Sequence, residues 1–327
     1  MLGRRILRIK AFKILYGYAV GGKMTLTTAM DELEKSCEAT RDLYLYMLSI
    51  IAPLTAEARK RIELAKGKFN PTEADLNPNT RFADNALAPI FENDRDFNKL
   101  LQKKELTWQP YDILINSVLD RVKEKEYFRN YMESETSSLR DDCKLFAKIF
   151  ELELIDNEQL LAILEDKSIY WASDDLGCAI SACCMTLREL AEGRQWHLPP
   201  LYQSELTKRK RPDAEVSSDR DFVTRLLKNS VAGYDGYFSL ISDSLKGWSS
   251  DRINGIDIAL IVLGLAEAET FPDIPVKVTI NEYVEISKYF SLPRSGAHVS
   301  SSFVNGMLDR LIHKMASDGK ITKQILK

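Results

Sequence analysis

Residues 256–266 read IDIALIVLGLA and carry a single charge, that of Asp257. A helix that is apolar on nearly every side has no face to offer water, so it must lie among other helices. The run therefore predicts a bundle with this segment at its centre. Asn254 fits the N-cap, and Asp257 fits the N3 position, where a carboxylate meets free backbone N–H groups and the positive end of the helix dipole. Phe271-Pro272-Asp273-Ile274-Pro275 ends the helix, because each proline lacks an N–H donor and restricts the residue before it.

The flanking segments supply further helices. Thr279 followed by Glu282 has the spacing of a capping box and predicts a helix from Thr279 through Tyr289, with Ile280, Tyr283, Val284 and Ile286 facing inward. The stretch SLPRSGAHVSSS after Phe290 is loop by composition. A last helix is expected from about Ser302, with Phe303, Met307, Leu308, Leu311, Ile312 and Met315 on one face. Gly306 lies inside it, where a glycine costs about 1 kcal/mol against alanine, so a close backbone approach is expected there.

At the other end, residues 4–18 read RRILRIKAFKILYGY. Leu7, Ala11, Ile14, Leu15 and Tyr18 form an apolar stripe at helical spacing. Arg5, Arg8, Phe12 and Tyr16 form a second row, with Arg4 beside them. Guanidinium groups pair with phosphates and aromatic faces stack unpaired bases, so this row is a candidate nucleic-acid surface; composition alone also fits a solvated basic face over core aromatics. A second basic cluster, Lys208-Arg209-Lys210-Arg211, sits in an expected loop before Pro212, where phosphate contact would add affinity without sequence information. Net charge is −3, so any polyanion site must be one of these local patches.

Between the two ends the chain reads helical throughout, with few strand signals. No phosphate loop, dinucleotide-binding turn, zinc-helix motif or nucleophile elbow is present, so no cofactor, metal or catalytic residue is expected. Five cysteines include no C-x-x-C pair and read as idle thiols. No stretch approaches a membrane span and the N-terminus is amphipathic, which predicts a soluble cytoplasmic protein without a membrane partner.

Several short motifs in one order resemble the C-terminal signature of the NusB family of transcription antitermination factors. They are Trp248-x-x-Asp251-Arg252-Ile253, Ile256-Asp257, Ile274-Pro275-Val276-Lys277-Val278, Ile280-Asn281-Glu282, Ser287-Lys288 and Phe303-Val304-Asn305-Gly306-x-Leu308-Asp309. The family also has an arginine-rich first helix followed by Leu-Tyr, matched here by Arg4, Arg5, Arg8 and Leu15-Tyr16, although Ile6 stands where a further arginine is common. The resemblance implies an all-α, NusB-like helical bundle with a large all-helical insertion, divided as the N-terminal helix of the bundle in residues 1–30, the insertion over 31–216 and the bundle core over 217–327. It further implies a non-enzymatic factor that binds boxA-type single-stranded RNA through Arg4, Arg5, Arg8, Phe12 and Tyr16. The implied partners are NusE, a small-subunit ribosomal protein, and the RNA polymerase elongation complex during ribosomal RNA transcription. Asp257 and Phe303 are the expected partner contacts. The alternatives are a NusB-like scaffold that has lost RNA binding, or the RNA-binding module of a ribosomal-RNA-modifying system.

Overall fold

The computed structural model describes residues 1–22, 24–245, 254–290 and 297–321. The Trp248 to Ile253 part of the signature and residues 291–296 of the loop expected after Phe290 lie outside the described residues. Among those described there is no β-strand; Leu2 and Tyr202 form one isolated parallel bridge. The all-helical expectation holds, and the chain divides into two compact units.

One unit holds Met1 and Glu38–Leu201. Its helices are the C-terminal part of α2, then α3 (Ile51–Lys66), α4 (Glu73–Leu76), α5 (Ala88–Glu92), α6 (Arg95–Lys103), α7 (Asp112–Glu124), α8 (Glu126–Glu133), α9 (Leu139–Ile149), α10 (Glu158–Lys167) and α11 (Ser173–Ala191), with α2 itself spanning Leu26–Leu48. Side-chain oxygens of Asp94, Ser138 and Asn157 cap α6, α9 and α10. A π turn over Phe150–Leu154 extends α9. Its core carries buried aromatic residues whose polar atoms are satisfied. Tyr46 and Trp108 stack at 3.9 Å, the Trp108 indole donates to the Tyr46 carbonyl at 3.1 Å, and the Trp171 indole donates to the Ala39 carbonyl at 2.8 Å.

The other unit holds Leu2–Cys37 and Tyr202–Lys327. It contains α1 (Arg4–Gly21), the start of α2, α12 (Gln203–Lys210), α13 (Asp219–Ala232), α14 (Tyr234–Ser244), α15 (Gly255–Thr270), α16 (Val276–Phe290) and α17 (Ala297–Ser317). Helix α15 is central as the sequence demands: every residue from Ala259 to Ala268 is buried, and α1, α13, α14, α16 and α17 all pack on it. Asn254 caps it by accepting from the Ile256 N–H at 3.1 Å.

Three local expectations are corrected. Helix α16 starts at Val276, not Thr279: the Pro275 carbonyl takes the amides of Val278 and Thr279 at 2.9 and 3.1 Å, and the Thr279 hydroxyl turns instead to Glu267 at 2.9 Å. Helix α17 starts at Ala297, not near Ser302, because Ser300 and Ser301 face inward and Ser300 donates to the Asp257 carboxylate, so a polar stretch is held helical by a tertiary partner. Gly306 is exposed with open space beside it, and the close approach falls at Gly264, where a Cβ would sit 2.5 Å from Leu308 and 3.3 Å from Tyr283.

Candidate functional site

Helix α1 has no polar cap of its own, since Gly3 at the N-cap offers no side chain. Its entry is fixed from outside: Gln203 donates its amide to the Leu2 carbonyl at 3.0 Å. At the next residue, Asp219 accepts from the Ser204 amide at 2.7 Å while the Ser204 hydroxyl accepts from the Asp219 amide at 3.0 Å. These contacts tie the segment from Tyr202 to the start of α1, and the unit boundary accordingly falls before Tyr202, within the stretch that the resemblance assigns to the insertion.

The structure places the arginines of α1 at three depths. Arg4 donates to Asp219 at 3.4 Å and to Ser217, and lies 4.9 Å over the Phe222 ring. Arg5 makes a bidentate pair with Glu282 at 2.8 and 3.0 Å while its side chain stays 58% exposed. Arg8 is buried, with its side chain 4% exposed, and pairs bidentately with Glu267 at 2.7 and 2.9 Å. The expected row at the helix surface is therefore broken at Arg8 and at Phe12, which is buried 5.0 Å from the Phe290 ring. Tyr16 is half-buried, and the missing Cβ of Gly255 lets its ring rest against the start of α15.

The buried pair explains why Arg8 is inside. Glu267 has no solvent exposure, yet its carboxylate also accepts from the Thr279 hydroxyl at 2.9 Å and the Tyr283 hydroxyl at 3.0 Å. A buried ion pair is tolerated only when geometry and extra hydrogen bonds offset its desolvation, and this one has both. Burial opposes the charge on Arg8, but hydrogen bonds and the charge of Glu267 outweigh it and raise the guanidinium above its ordinary value. Burial, with the Glu267 charge adding to it, pushes the Tyr283 phenol well above its usual range. At the surface, the hydrogen bonds from Arg5 hold Glu282 below the ordinary glutamate range.

Sequence reasoning missed Glu267, Glu282 and Asp219 as partners of this helix, and Lys10 as a buried cation within it. Lys10 is buried, and its ammonium donates to the Ser36 carbonyl at 2.8 Å and hydroxyl at 3.1 Å. A signal for Glu267 was available: a carboxylate directly after a nearly all-apolar run, with an arginine inside the apolar phase of another helix. The basic cluster is not a loop, because Lys208, Arg209 and Lys210 form the last turn of α12, where cations complement the helix dipole. Asp257 is buried in the first turn of α15 and accepts from Ser300; burial raises its carboxyl above the ordinary aspartate range. Phe303 is half-buried on α17.

This is a helical bundle closed around an all-apolar helix, with a basic first helix pinned by a buried Arg–Glu pair. The NusB family model matches residues 199–313. A transcription antitermination protein NusB of Myxococcus xanthus is 36% identical over 132 residues, covering 36% of this chain and 91% of that protein. One of Citrifermentans bemidjiense is 33% identical over 144 residues, covering 39% of this chain and 94% of that protein, and one of Salinibacter ruber is 31% identical over 112 residues, covering 34% and 67%. No solved structure matches. The chain belongs to the NusB family. Since about two fifths of it accounts for nearly all of a relative's length, the remainder is additional to the family's length, consistent with an insertion. No described helix is long and apolar enough to cross a membrane.

Proposed function

We propose that this protein is an RNA-binding antitermination factor that binds boxA-type RNA together with NusE, acts on the RNA polymerase elongation complex, and serves ribosomal RNA transcription without catalysis. The observation that carries the reading is the near full-length match to relatives named transcription antitermination protein NusB. The surface we assign to RNA is the outer part of α1, with Arg4 and Arg5 for backbone phosphates and Tyr16 for an unpaired base. Arg8 and Phe12 then act from below: the buried Arg8–Glu267 pair and the Phe12–Phe290 contact hold the helix that presents the others. RNA must compete with the Asp219 and Glu282 carboxylates for Arg4 and Arg5, which lowers affinity without removing the charges. Asp257 and Phe303 are assigned to the ribosomal protein.

That competition is also the specific observation behind a second reading, a NusB-like scaffold that no longer binds RNA. Each arginine of α1 has a carboxylate partner, so the helix surface carries little uncompensated charge. Titrating boxA-like RNA into the full chain, with and without the cognate small-subunit ribosomal protein, decides between them. The first reading expects binding strengthened by the partner, each ligand raising the other's affinity by one coupling free energy. The scaffold reading expects the ribosomal protein to bind and the RNA to bind neither partner-free nor partner-bound chain.

A further inference from the structure

Within the unit of Glu38–Leu201, a cleft of about 820 Å³ opens between α8, α9 and α11. That volume lies within the range of roughly 300–1,000 Å³ usual for small-molecule sites. Five cations line it: Arg81, Arg140, Lys144, Lys148 and Arg188. Arg140, Lys144 and Lys148 follow one another at four-residue spacing down α9, so they stand about 6 Å apart in rise. Arg188 comes from α11, and Arg81 donates to the Ser134 carbonyl while lying 4.3 Å over the Tyr131 ring.

These charges are poorly compensated. Among the described residues, Arg81, Arg140, Lys148 and Arg188 form no ion pair, and Lys144 reaches Asp141 only at 3.8 Å. Of the three carboxylates in the wall, Asp141 also accepts from the Ser138 hydroxyl, Glu192 is paired with Arg194, and Glu151 lies beside Cys184. A chain of net charge −3 thus concentrates positive charge in a concave site with low-dielectric walls, where the field is focused rather than screened. The floor is neutral and mostly apolar: Cys143, Ala147, Cys184 and Leu187. Burial pushes both thiols up to about 12, so they stay protonated and offer no nucleophile.

We propose that this cleft binds a phosphate-bearing ligand of nucleotide size, taken up free or as one unit of an RNA strand. Convergent guanidinium and ammonium groups suit a compact group with several anionic oxygens, which a single carboxylate does not supply. The apolar floor suits the ring, and the exposed Asn130 amide at the wall offers both a donor and an acceptor to a ring edge. The inference does not depend on the RNA surface assigned to α1.

The test uses the full chain and calorimetric titration of four probes: ATP, a short oligouridylate, inorganic phosphate and polyglutamate. ATP or the oligouridylate should bind, and which of them binds gives the source. Affinity should fall about tenfold for each cation removed, the loss expected for one charge-assisted hydrogen bond, in Arg140→Ala/Lys144→Ala and in Lys148→Glu/Arg188→Glu. The first pair changes only exposed side chains of α9, so it reads the site if the second pair disturbs folding. Arg5→Gln, which bears on the α1 surface and not on the cleft, should leave ATP binding unchanged. Failure of both nucleotide probes to bind, survival of binding in the first pair, or equally tight binding of phosphate or polyglutamate would overturn the proposal. Oligouridylate binding abolished by Arg5→Gln and untouched by the cleft variants would also overturn it, while leaving the α1 reading standing.

Discussion

Glu267 accepts from Arg8, Thr279 and Tyr283, so one carboxylate joins α1, α15 and α16. Glu267→Gln removes the charge and leaves the buried Arg8 guanidinium with only the more distant Glu282, at 3.7 Å, as counter-ion, which costs up to about 3–5 kcal/mol. Urea denaturation should show the midpoint falling with an unchanged slope. Asp257 behaves oppositely. Its folded carboxyl is raised above its unfolded value by burial, so its contribution favours folding at low pH and is lost as pH rises from the unfolded value through the folded one. Asn at 257 can still accept from Ser300 and carries no charge, so Asp257→Asn should melt no lower than wild type at neutral pH and should lose that acid-range dependence. Glu282 has a folded value depressed by Arg5, so its contribution is present above the unfolded value and disappears as pH falls through the folded one. Glu282→Gln should flatten that acid limb. At this scale the arginines of α1 were legible but their partners were not. Glu267 sits in AEAET, a stretch that looks solvated until α1 and α16 are packed against it.

At the scale of elements, α15 was readable because an apolar run has only one physical destination, whereas helix starts were governed by partners distant in sequence. Thr279 and Glu282 have the spacing of a local cap, yet their side chains go to Glu267 and Arg5. Glycines show the same contrast. Gly264 and Gly306 both interrupt helices, and only the first is tight, with Leu308 and Tyr283 against it. Gly264→Ala should therefore destabilise by about 1–3 kcal/mol through overpacking, despite the helix propensity gained. Gly306→Ala should stabilise by about 0.5–1 kcal/mol. Thermal melts of the two single variants shifting in opposite directions check the assignment.

For the whole molecule, helical patterning and the family resemblance mark the middle of the chain as helical and additional, but not where it joins. The joins are set by the Lys10–Ser36 and Ser204–Asp219 contacts, which no local pattern announces. Replacing residues 38–201 with a Gly/Ser linker keeps both and should leave a cooperatively melting helical bundle. Replacing 31–214 strips partners from buried Lys10 and Asp219 and should be less stable by about 1–3 kcal/mol per group left unsatisfied. Equal stability of the two deletions by urea titration would count against these joins. The central claim is that α1 meets RNA through Arg4 and Arg5 while Arg8 serves the fold. Its most direct measurement is the salt dependence of boxA-like RNA binding by wild type and by Arg4→Gln/Arg5→Gln, in the presence of the ribosomal protein. Each phosphate neutralised on a single strand contributes roughly 0.7 to the slope of log K against log salt, so the double variant should bind more weakly with a slope shallower by about 1.4. An unchanged slope and affinity would contradict the claim.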